Sequence, residues 1–263
     1  MASGRGKYYL VIQADDFGIT RGVNRGIIEA FQAGAISNTT LLVTMPHTED
    51  AVRLARENRG LPVGLHLSLT NGHPVSPPGD VPSLVDGEGN LLRRPERVYP
   101  VATVEHIQRE LQAQLQRFLD FGLKPSHIDT HHSIIEHPVV RETVFQMALT
   151  HSIPVRTLGM EDVKTEAHAR GVLVPDWYRD AYFEQPRPPF PVTPQRFTSV
   201  LKMLKPGITD LGCHIGYVDE ELARHTTYVE GREKELQSLL DENVRATIRA
   251  QDIQVVSFGY LKA

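Results

Sequence analysis

The sequence predicts an α/β fold, a distorted or incomplete (β/α) barrel with about seven parallel strands. Short apolar runs alternate along the chain with segments of helical periodicity, which is the pattern of successive parallel βα units. The glycine-rich turn G-x-G-x-x-G does not follow the first strand, and the phosphate-binding motif G-x-x-x-x-G-K-[ST] does not occur. These observations favour the barrel over an open doubly wound sheet, which is the alternative architecture.

The composition predicts one globular domain spanning 1–263. Hydrophobic residues make up 40% of the chain and charged residues 23%, both typical of globular proteins. A net charge of −4 gives no general electrostatic reason to bind nucleic acid or an anionic membrane. The single cysteine, Cys213, excludes an intrachain disulfide, and no stretch has the pattern of a signal peptide or a membrane span. We therefore expect a cytoplasmic protein.

Each predicted strand is a short apolar or alternating run bounded by turn residues. The predicted strands are 8–16, 36–45, 62–69, 126–131, 155–156, 208–214 and 253–258. The third of them alternates most clearly, with four aliphatic residues on one face and Gly64, His66 and Ser68 on the other. A polar side chain such as His66 therefore lies on the opposite face from the aliphatic ones.

The helices are predicted from apolar periodicity and from residues typical of helix ends. The predicted helices are 20–33, 48–59, 103–121, 138–151, 194–204 and 230–250. The segment 103–121 has the clearest apolar stripe, and Gly122 ends it. Two connections rich in proline, 70–102 and 159–193, are predicted as long functional or mobile loops, the first with a small hairpin near 85–90.

Two adjacent carboxylates, Asp15 and Asp16, end the first predicted strand. In α/β proteins the carboxyl ends of parallel strands are where ligands bind. Like charges side by side cost free energy unless a cation or a proton lies between them. The pair could instead cap the following helix, because aspartate is a good N-cap residue.

Polar residues recur at the ends of other predicted strands. His66, His131 and His214 lie at the ends of the third, fourth and sixth strands. One aspartate and two histidines from three strands form a plausible ligand set for a divalent ion with open positions. Imidazole ligands suit zinc, manganese, iron, cobalt or nickel, and magnesium is less usual with two of them. His127 and Asp129 alternate with His131; Asp129 is either a ligand or an acceptor that orients a histidine, and His127 is either a ligand or a strand residue.

Four motifs in chain order resemble the YdjC-like carbohydrate deacetylase family, which includes bacterial chitooligosaccharide deacetylases. They are Ala-Asp-Asp-Phe-Gly at 14–18, Gly-Leu-His-Leu at 64–67, His-Ile-Asp-Thr-His-His at 127–132 and His-Ile-Gly-Tyr at 214–217. The stretch Arg-Glu-Lys-Glu-Leu at 232–236 is similar to the last helix of that family. The resemblance covers nearly the whole chain and implies a distorted (β/α) barrel.

The resemblance also implies a role for each matching residue. It implies that Asp16, His66 and His131 bind one divalent metal ion, zinc or magnesium. It further implies that Asp15 is the general base and that His214 is the general acid or the partner of the oxyanion.

Four further residues are expected to contact the substrate or to orient the groups that do. These residues are Arg156, Asp129, His127 and Tyr217. Arg156 is expected to line the pocket and to orient Asp15 or the substrate. The chain departs from the family pattern at 133–135, where further histidines are frequent, and at Ile215, where proline is common. Neither departure removes an expected ligand.

The resemblance implies a metal-dependent hydrolase that removes an N-acetyl group from an amino sugar or a short chitooligosaccharide. Its expected partner is that acetylated sugar, with neither nucleic acid nor a membrane, and a homodimer is the default assembly. One alternative is a metal-dependent hydrolase acting on another amide or ester, because barrels support many reactions. The other is a non-catalytic carbohydrate-binding protein with the same fold.

Overall fold

The structure, a computed structural model, describes residues 6–180 and 191–262. Within these ranges seven strands form one sheet in which every strand pair is parallel. The strands are β1 (Tyr8–Phe17), β2 (Asn38–Leu41), β3 (Val63–Leu67), β4 (Ile128–Thr130), β5 (Trp177–Asp180), β6 (Gly207–Cys213) and β7 (Ile253–Val255). Their order is β4-β3-β2-β1-β6-β5, with β7 beside β1. The sheet is a curled half-barrel, which confirms the predicted α/β fold.

Helices connect the strands on the outside of the sheet. In the described ranges they are α1 (Arg21–Gln32), α2 (Thr48–Glu57), α3 (Pro95–Val98), α4 (Val104–Asp120), α5 (Pro138–His151), α6 (Glu161–Ala169), α7 (Pro194–Lys202), α8 (Leu222–His225), α9 (Glu230–Leu240) and α10 (Glu242–Ala250). Short 3₁₀ turns lie at Pro78–Asp80, His131–Glu136 and Phe258–Lys262. No helix in 6–180 or 191–262 combines the length and apolar character needed to cross a membrane.

The central strand of the sheet is β1, because three other strands pair with it. One edge of β1 pairs with β6 from Tyr8 to Ala14. The other edge is shared, with β7 beside the first half of β1 and β2 beside the second half. The side chains of β1 from Leu10 onwards are all buried, so this strand passes through the middle of the core. Its carboxyl end carries the two adjacent aspartates.

The fifth strand lies in a different place from the one predicted. Val155 makes only an isolated parallel bridge to Ile128, and the strand that completes the sheet is β5, which pairs with β6. The predicted loop 159–193 was therefore wrong in part, because it contains α6 and β5, while its residues 181–190 lie outside the described ranges. The polar sequence of β5 gives no strand pattern of its own, and its conformation is set by pairing with β6.

The predicted long helix 230–250 is two helices. The chain breaks at Asp241, which has extended dihedral angles of −66° and 133°. Its carboxylate accepts a hydrogen bond from the backbone N–H of Asn243 at 2.8 Å and so caps α10. Neither glycine nor proline lies at this break, and the apolar periodicity continues through it. The sequence pattern therefore predicts one helix where the structure has two.

The predicted hairpin in the long connection 70–102 is present. Val85 and Leu91 form an antiparallel bridge, and the backbone N–H of Asp86 donates to the carbonyl of Asn90. The same connection also holds a 3₁₀ turn and α3. It therefore packs on the domain as a structured segment.

A close approach between a glycine and a histidine fixes the amino ends of β3 and β4. His127 is fully buried, and its ring stacks on Phe258 with centroids 3.9 Å apart. A Cβ atom at Gly64 would lie 2.4 Å from the His127 ring. Glycine at this position therefore gives the imidazole the room that it needs.

Replacing Gly64 by alanine is expected to destabilise the protein. The added methyl group overlaps the buried imidazole, and overpacking of this kind lowers the free energy of unfolding by about 1–3 kcal/mol. Gly87→Ala is the matched control, since a Cβ there meets nothing within 4 Å. Urea unfolding of both variants provides the measurement, and equal stabilities for the two would show that the ring leaves room for a side chain.

Candidate active site

A cleft of about 1310 Å³ opens at the carboxyl ends of the strands. Among its described lining residues are Asp15, Asp16, His66, Asp129, His131 and His214. These side chains come from four different strand ends, as expected for parallel strands whose carboxyl ends meet at one face. The structure thus brings together the polar residues that the strand ends predict.

Both aspartates face the cleft because β1 is irregular at its end. On a regular strand, neighbouring side chains point to opposite faces. Here the pairing of β1 with β2 shifts register between Ala14 and Phe17, and Asp16 has a positive φ of 70°. Such a backbone conformation is uncommon for a residue other than glycine and is concentrated at functional sites. The irregularity explains how adjacent carboxylates share one cleft.

Asp15 is held in place from several directions. Its carboxylate accepts hydrogen bonds from the Arg156 Nη1 at 2.8 and 3.0 Å, from the Gln13 amide at 3.2 Å and from the Thr40 hydroxyl at 3.3 Å. The His214 Nε2 lies 4.0 Å from Asp15 Oδ2. The structure thus fixes the Asp15 carboxylate in the cleft, with the His214 imidazole beside it.

Asp16 pairs with a different arginine. The Nη2 atom of Arg232 lies 2.6 Å from Asp16 Oδ2, although the two residues are 216 positions apart. Burial raises the pKa of Asp16, but the charge of Arg232 and the contact with His66 outweigh burial and lower that pKa well below its usual value. Asp16 is therefore ionised. Its Oδ1 atom is buried without a hydrogen-bond partner among the described residues and lies 3.5 Å from His66 Nε2.

His66 is oriented by Asp129. The Nδ1 atom of the ring lies 3.0 Å from Asp129 Oδ2, which leaves Nε2 directed at Asp16. Burial opposes a charged ring, but Asp129 and the two cleft aspartates outweigh burial and raise the pKa of His66 to about 10. A carboxylate behind a histidine is a frequent arrangement in metal sites, because it fixes the tautomer and the ring direction.

Arg156 joins three carboxylates beneath the cleft. It is fully buried, its Nη1 also lies 2.6 Å from Asp129 Oδ2, and its Nε donates to Asp210 Oδ2 at 2.7 Å. A Cβ atom at Gly212 would lie 2.8 Å from Arg156 Nη2, so glycine makes room for the guanidinium. The predicted contact between Arg156 and Asp15 is present in this cluster.

Asp210 is a residue of this cluster that sequence reasoning missed. The available signal was its alternation with Gly212 and His214 on β6, which places all three on one face. Burial raises the pKa of Asp210 to about 7, and the charges of Asp129 and Asp15 act in the same direction against that of Arg156. The crowding of three buried carboxylates around one guanidinium thus favours the protonated form of Asp210.

His131 begins the 3₁₀ turn that follows β4. Its ring lies 5.6 Å from the His66 ring, between centroids, and 3.8 Å from the ring of His132. Burial, with a further effect from His132, lowers the pKa of His131 well below its usual value, so this imidazole is neutral. His132 and Ser133 both have positive φ values, 53° and 56°. This strained turn directs two adjacent histidines at the cleft.

The backbone of His214 is fixed by a residue from α9. Its N–H donates to Glu235 Oε2 at 2.8 Å, and the hydroxyl of Tyr228 donates to Glu235 Oε1 at 2.6 Å. Burial raises the pKa of Glu235 well above its usual value. Sequence reasoning assigned no role to Arg232, Glu235 or Tyr228. The stretch at 232–236 was the available signal for Arg232 and Glu235, and Tyr228 had none.

The structure does not place His127 and Tyr217 among the described residues that line the cleft. His127 fills the core below the strand ends, as described above. The hydroxyl of Tyr217 donates to Glu29 at 2.6 Å, and Arg25 lies 4.3 Å over its ring. In the structure His127 thus packs against Phe258 and Tyr217 against α1, and a contact of either residue with a substrate stays a prediction.

The donor groups at the cleft fit a divalent ion in their chemistry. A buried carboxylate oxygen of Asp16 without a hydrogen-bond partner among the described residues faces the oriented nitrogen of His66. Ions that bind imidazole and carboxylate accept such a pair. Within 6–180 and 191–262, however, no group of three or more His, Cys, Asp and Glu side chains is arranged so that it could hold an ion. Asp16, His66 and His131 as the ligands of an ion therefore all stay predictions.

Asp210→Asn is expected to change how stability depends on pH. Because the pKa of Asp210 is raised to about 7 in the folded protein, folding favours its protonated form. That contribution is present below the unfolded pKa of about 3.9 and is lost as the pH rises through the folded pKa. Asparagine keeps an acceptor for Arg156 and has no such loss.

Urea unfolding at pH 5 and pH 8 measures this effect. The stability of Asp210→Asn relative to the original chain should be greater at pH 8 than at pH 5. At pH 8 the original chain has lost the contribution of protonated Asp210, and the variant has not. Asp120→Asn, an exposed carboxylate on α4, is the control for a general effect of charge. A relative stability of Asp210→Asn that is the same at both pH values would contradict the crowding of carboxylates around Arg156.

Comparisons with known proteins identify the family of the chain. The family model described as YdjC-like protein matches residues 9–250. A carbohydrate deacetylase of Geobacillus stearothermophilus is 38% identical over 95% of this chain and 96% of its own length. One from Clostridium beijerinckii is 36% identical over 95% of this chain and 98% of its own.

A solved structure has the same fold over the whole length. It is a protein of Enterococcus faecalis proposed to cleave cellobiose phosphate, and it superposes with a TM-score of 0.88 at 27% identity. The match covers 97% of this chain and 99% of the other. On the family model and these relatives, the chain belongs to the YdjC-like carbohydrate deacetylase family.

Proposed function

We propose that this protein is a metal-dependent carbohydrate deacetylase that hydrolyses the N-acetyl group of an amino sugar or a short chitooligosaccharide. The observation behind this proposal is the placement of Asp15, which Arg156 fixes at 2.8 Å and which lies 4.0 Å from His214 Nε2 in the cleft. Amide hydrolysis needs a base for the attacking water and an acid for the leaving amine. The relatives named carbohydrate deacetylase support the class of substrate.

Asp16, His66 and His131 would hold one divalent ion. An ion at that place polarises a carbonyl oxygen and makes water a better nucleophile at neutral pH. The buried Asp16 Oδ1, which accepts no hydrogen bond from the described residues, supports this assignment, and so does the Asp129 carboxylate behind His66. Zinc or magnesium as the ion, a homodimer and a cytoplasmic location stay predictions.

The roles of the chain's own residues follow from their positions. Asp15 takes a proton from the water that attacks the acetamide carbon, and its hydrogen bonds to Arg156, Gln13 and Thr40 keep it directed at the cleft. His214, whose Nε2 lies 4.0 Å from Asp15 Oδ2, gives a proton to the nitrogen as the C–N bond breaks. The products are acetate and the free amino sugar.

Asp15→Asn is expected to lower kcat by about 10²–10⁴-fold, since it removes the general base. Acetate release from a panel of N-acetylated amino sugars and chitooligosaccharides is the measurement, together with the bound metal content. The metal content should be unchanged, because Asp15 is not a proposed ligand. Asp80→Asn, an exposed aspartate in the 70–102 connection, is the control.

The same assay separates the alternative functions. Release from the sugar panel in the original chain, and its loss in Asp15→Asn, supports the proposed reaction. Turnover of other amides or esters alone would indicate a different hydrolase. Binding of the sugars without acetate release, with metal present, would indicate a carbohydrate-binding protein.

Asp16→Asn is expected to lose bound metal and activity together. The substitution removes the ionised oxygen that faces His66, and asparagine is a weaker ligand for a divalent ion. Metal content is measured after dialysis against zinc, and circular dichroism checks that the chain still folds. Unchanged metal content and turnover in a folded variant would show that the ligand assignment is wrong.

A further inference from the structure

The hydroxyl of Thr70 lies between two neighbouring histidines of the cleft. Its Oγ1 atom is 2.9 Å from His131 Nδ1 and 3.0 Å from His132 Nδ1. A hydroxyl has one proton to donate and lone pairs to accept with. Oγ1 can therefore donate to one of the two rings and accept from the other, which makes the two histidines unequal.

The direction of this chain of hydrogen bonds is set by Ser68. The Ser68 hydroxyl donates its proton to the carbonyl of Thr70, and its oxygen accepts the Thr70 backbone N–H at 3.1 Å. The same oxygen lies 3.4 Å from His131 Nδ1. With its proton already donated, Ser68 can offer this nitrogen only a lone pair, so Nδ1 of His131 is the atom that carries a proton.

The remaining protons follow in sequence. His131 Nδ1–H donates to Thr70 Oγ1, and the Thr70 hydroxyl then donates to His132 Nδ1. In a neutral imidazole only one ring nitrogen carries a proton. His131 thus keeps its lone pair at Nε2, while His132 carries its proton at Nε2.

We infer that Thr70 and Ser68 are positioning residues that give His131 and His132 opposite tautomers. His131 presents a lone pair at Nε2, which suits a metal ligand. His132, which lines the cleft, presents an N–H that suits an oxygen of the acetylated substrate. The assignment of these two tasks rests on the proposed function, whereas the tautomers themselves do not.

The segment that carries Ser68 and Thr70 is itself anchored to α4. The side chain of Gln114 accepts from the Ser68 N–H at 2.9 Å and donates to the Ser68 carbonyl at 2.6 Å. It also donates to Glu110 Oε1 at 2.7 Å, and Glu110 accepts the N–H groups of Val75 and Ser76. Gln114 and Glu110 are fully buried. A buried network with these contacts satisfied holds the hydroxyl of Thr70 in one position.

Nitrogen-15 NMR of the histidine rings in the metal-free protein tests the tautomers directly. Signals are assigned by their loss in His131→Gln and His132→Gln. We expect the Nδ1–H form for His131 and the Nε2–H form for His132. Thr70→Val should abolish this preference and Thr70→Ser should keep it, since serine restores the hydroxyl. The reverse tautomers in the original chain would overturn the inference.

Titration of the metal-free protein with zinc tests the consequence for binding. Loss of the group that orients a ligand weakens metal affinity by about 10–100-fold, so Thr70→Val should bind zinc that much more weakly than Thr70→Ser. Thr44→Val is the matched control, because the buried Thr44 hydroxyl has no hydrogen-bond partner among the described residues. Equal zinc affinity for Thr70→Val and Thr44→Val would contradict a positioning role for Thr70.

The two histidines give the last comparison. His131→Gln should lose zinc, whereas His132→Gln should keep zinc and raise KM for the acetylated sugar. If His132→Gln lost zinc and His131→Gln kept it, the assignment of His131 to the metal and His132 to the substrate would be overturned. If the original chain binds no divalent ion, the proposed metal dependence is wrong. The NMR result then still decides whether Thr70 sets the tautomers of the two histidines.

Discussion

The buried guanidinium of Arg156 is the interaction on which the rest of the structure depends. It contacts Asp15 on β1, Asp129 on β4 and Asp210 on β6. In the part of the chain that the structure describes, the two end strands of the sheet, β4 and β5, do not pair with each other. Arg156 therefore links strands across the open side by charge. Removing one partner of such a buried cluster leaves charges uncompensated, which is far more costly than the cluster's net contribution to stability.

Two arginines give the two cleft aspartates different electrostatic environments. Arg156 holds Asp15, and Arg232 holds Asp16, so neighbouring carboxylates have separate cations. Asp129 connects the two halves, because it contacts Arg156 on one side and orients His66 on the other. A base and a ligand can stand next to each other in sequence because the irregular end of β1 and these two arginines give each a different environment.

The sequence predicts the site residues at the strand ends, but it does not predict the helix residues that contact them in the fold. His66 and His214 could be predicted because parallel strands bring their carboxyl ends together. Arg232 and Glu235 were missed, since a charged residue on a helix is usually solvated. Arg232 contacts Asp16, 216 positions away, and Glu235 contacts the backbone of His214; both contacts exist only in the folded chain. The strand β5 was missed for a related reason, because pairing with β6 and not its own sequence determines it.

Polar residues on the buried face of a helix contribute to the site, as polar residues at strand ends do. The apolar stripe of α4 is interrupted by Glu110 and Gln114, which periodicity treats only as breaks in the pattern. Both are buried and reach the segment of Ser68, so they support the histidines of the cleft. Glu110 and Gln114 therefore stabilise the packing of α4 and also position the segment beside the cleft histidines. A change at the Thr70 hydroxyl can test the site apart from the fold, because the described hydrogen bonds of that hydroxyl are with the two histidine rings.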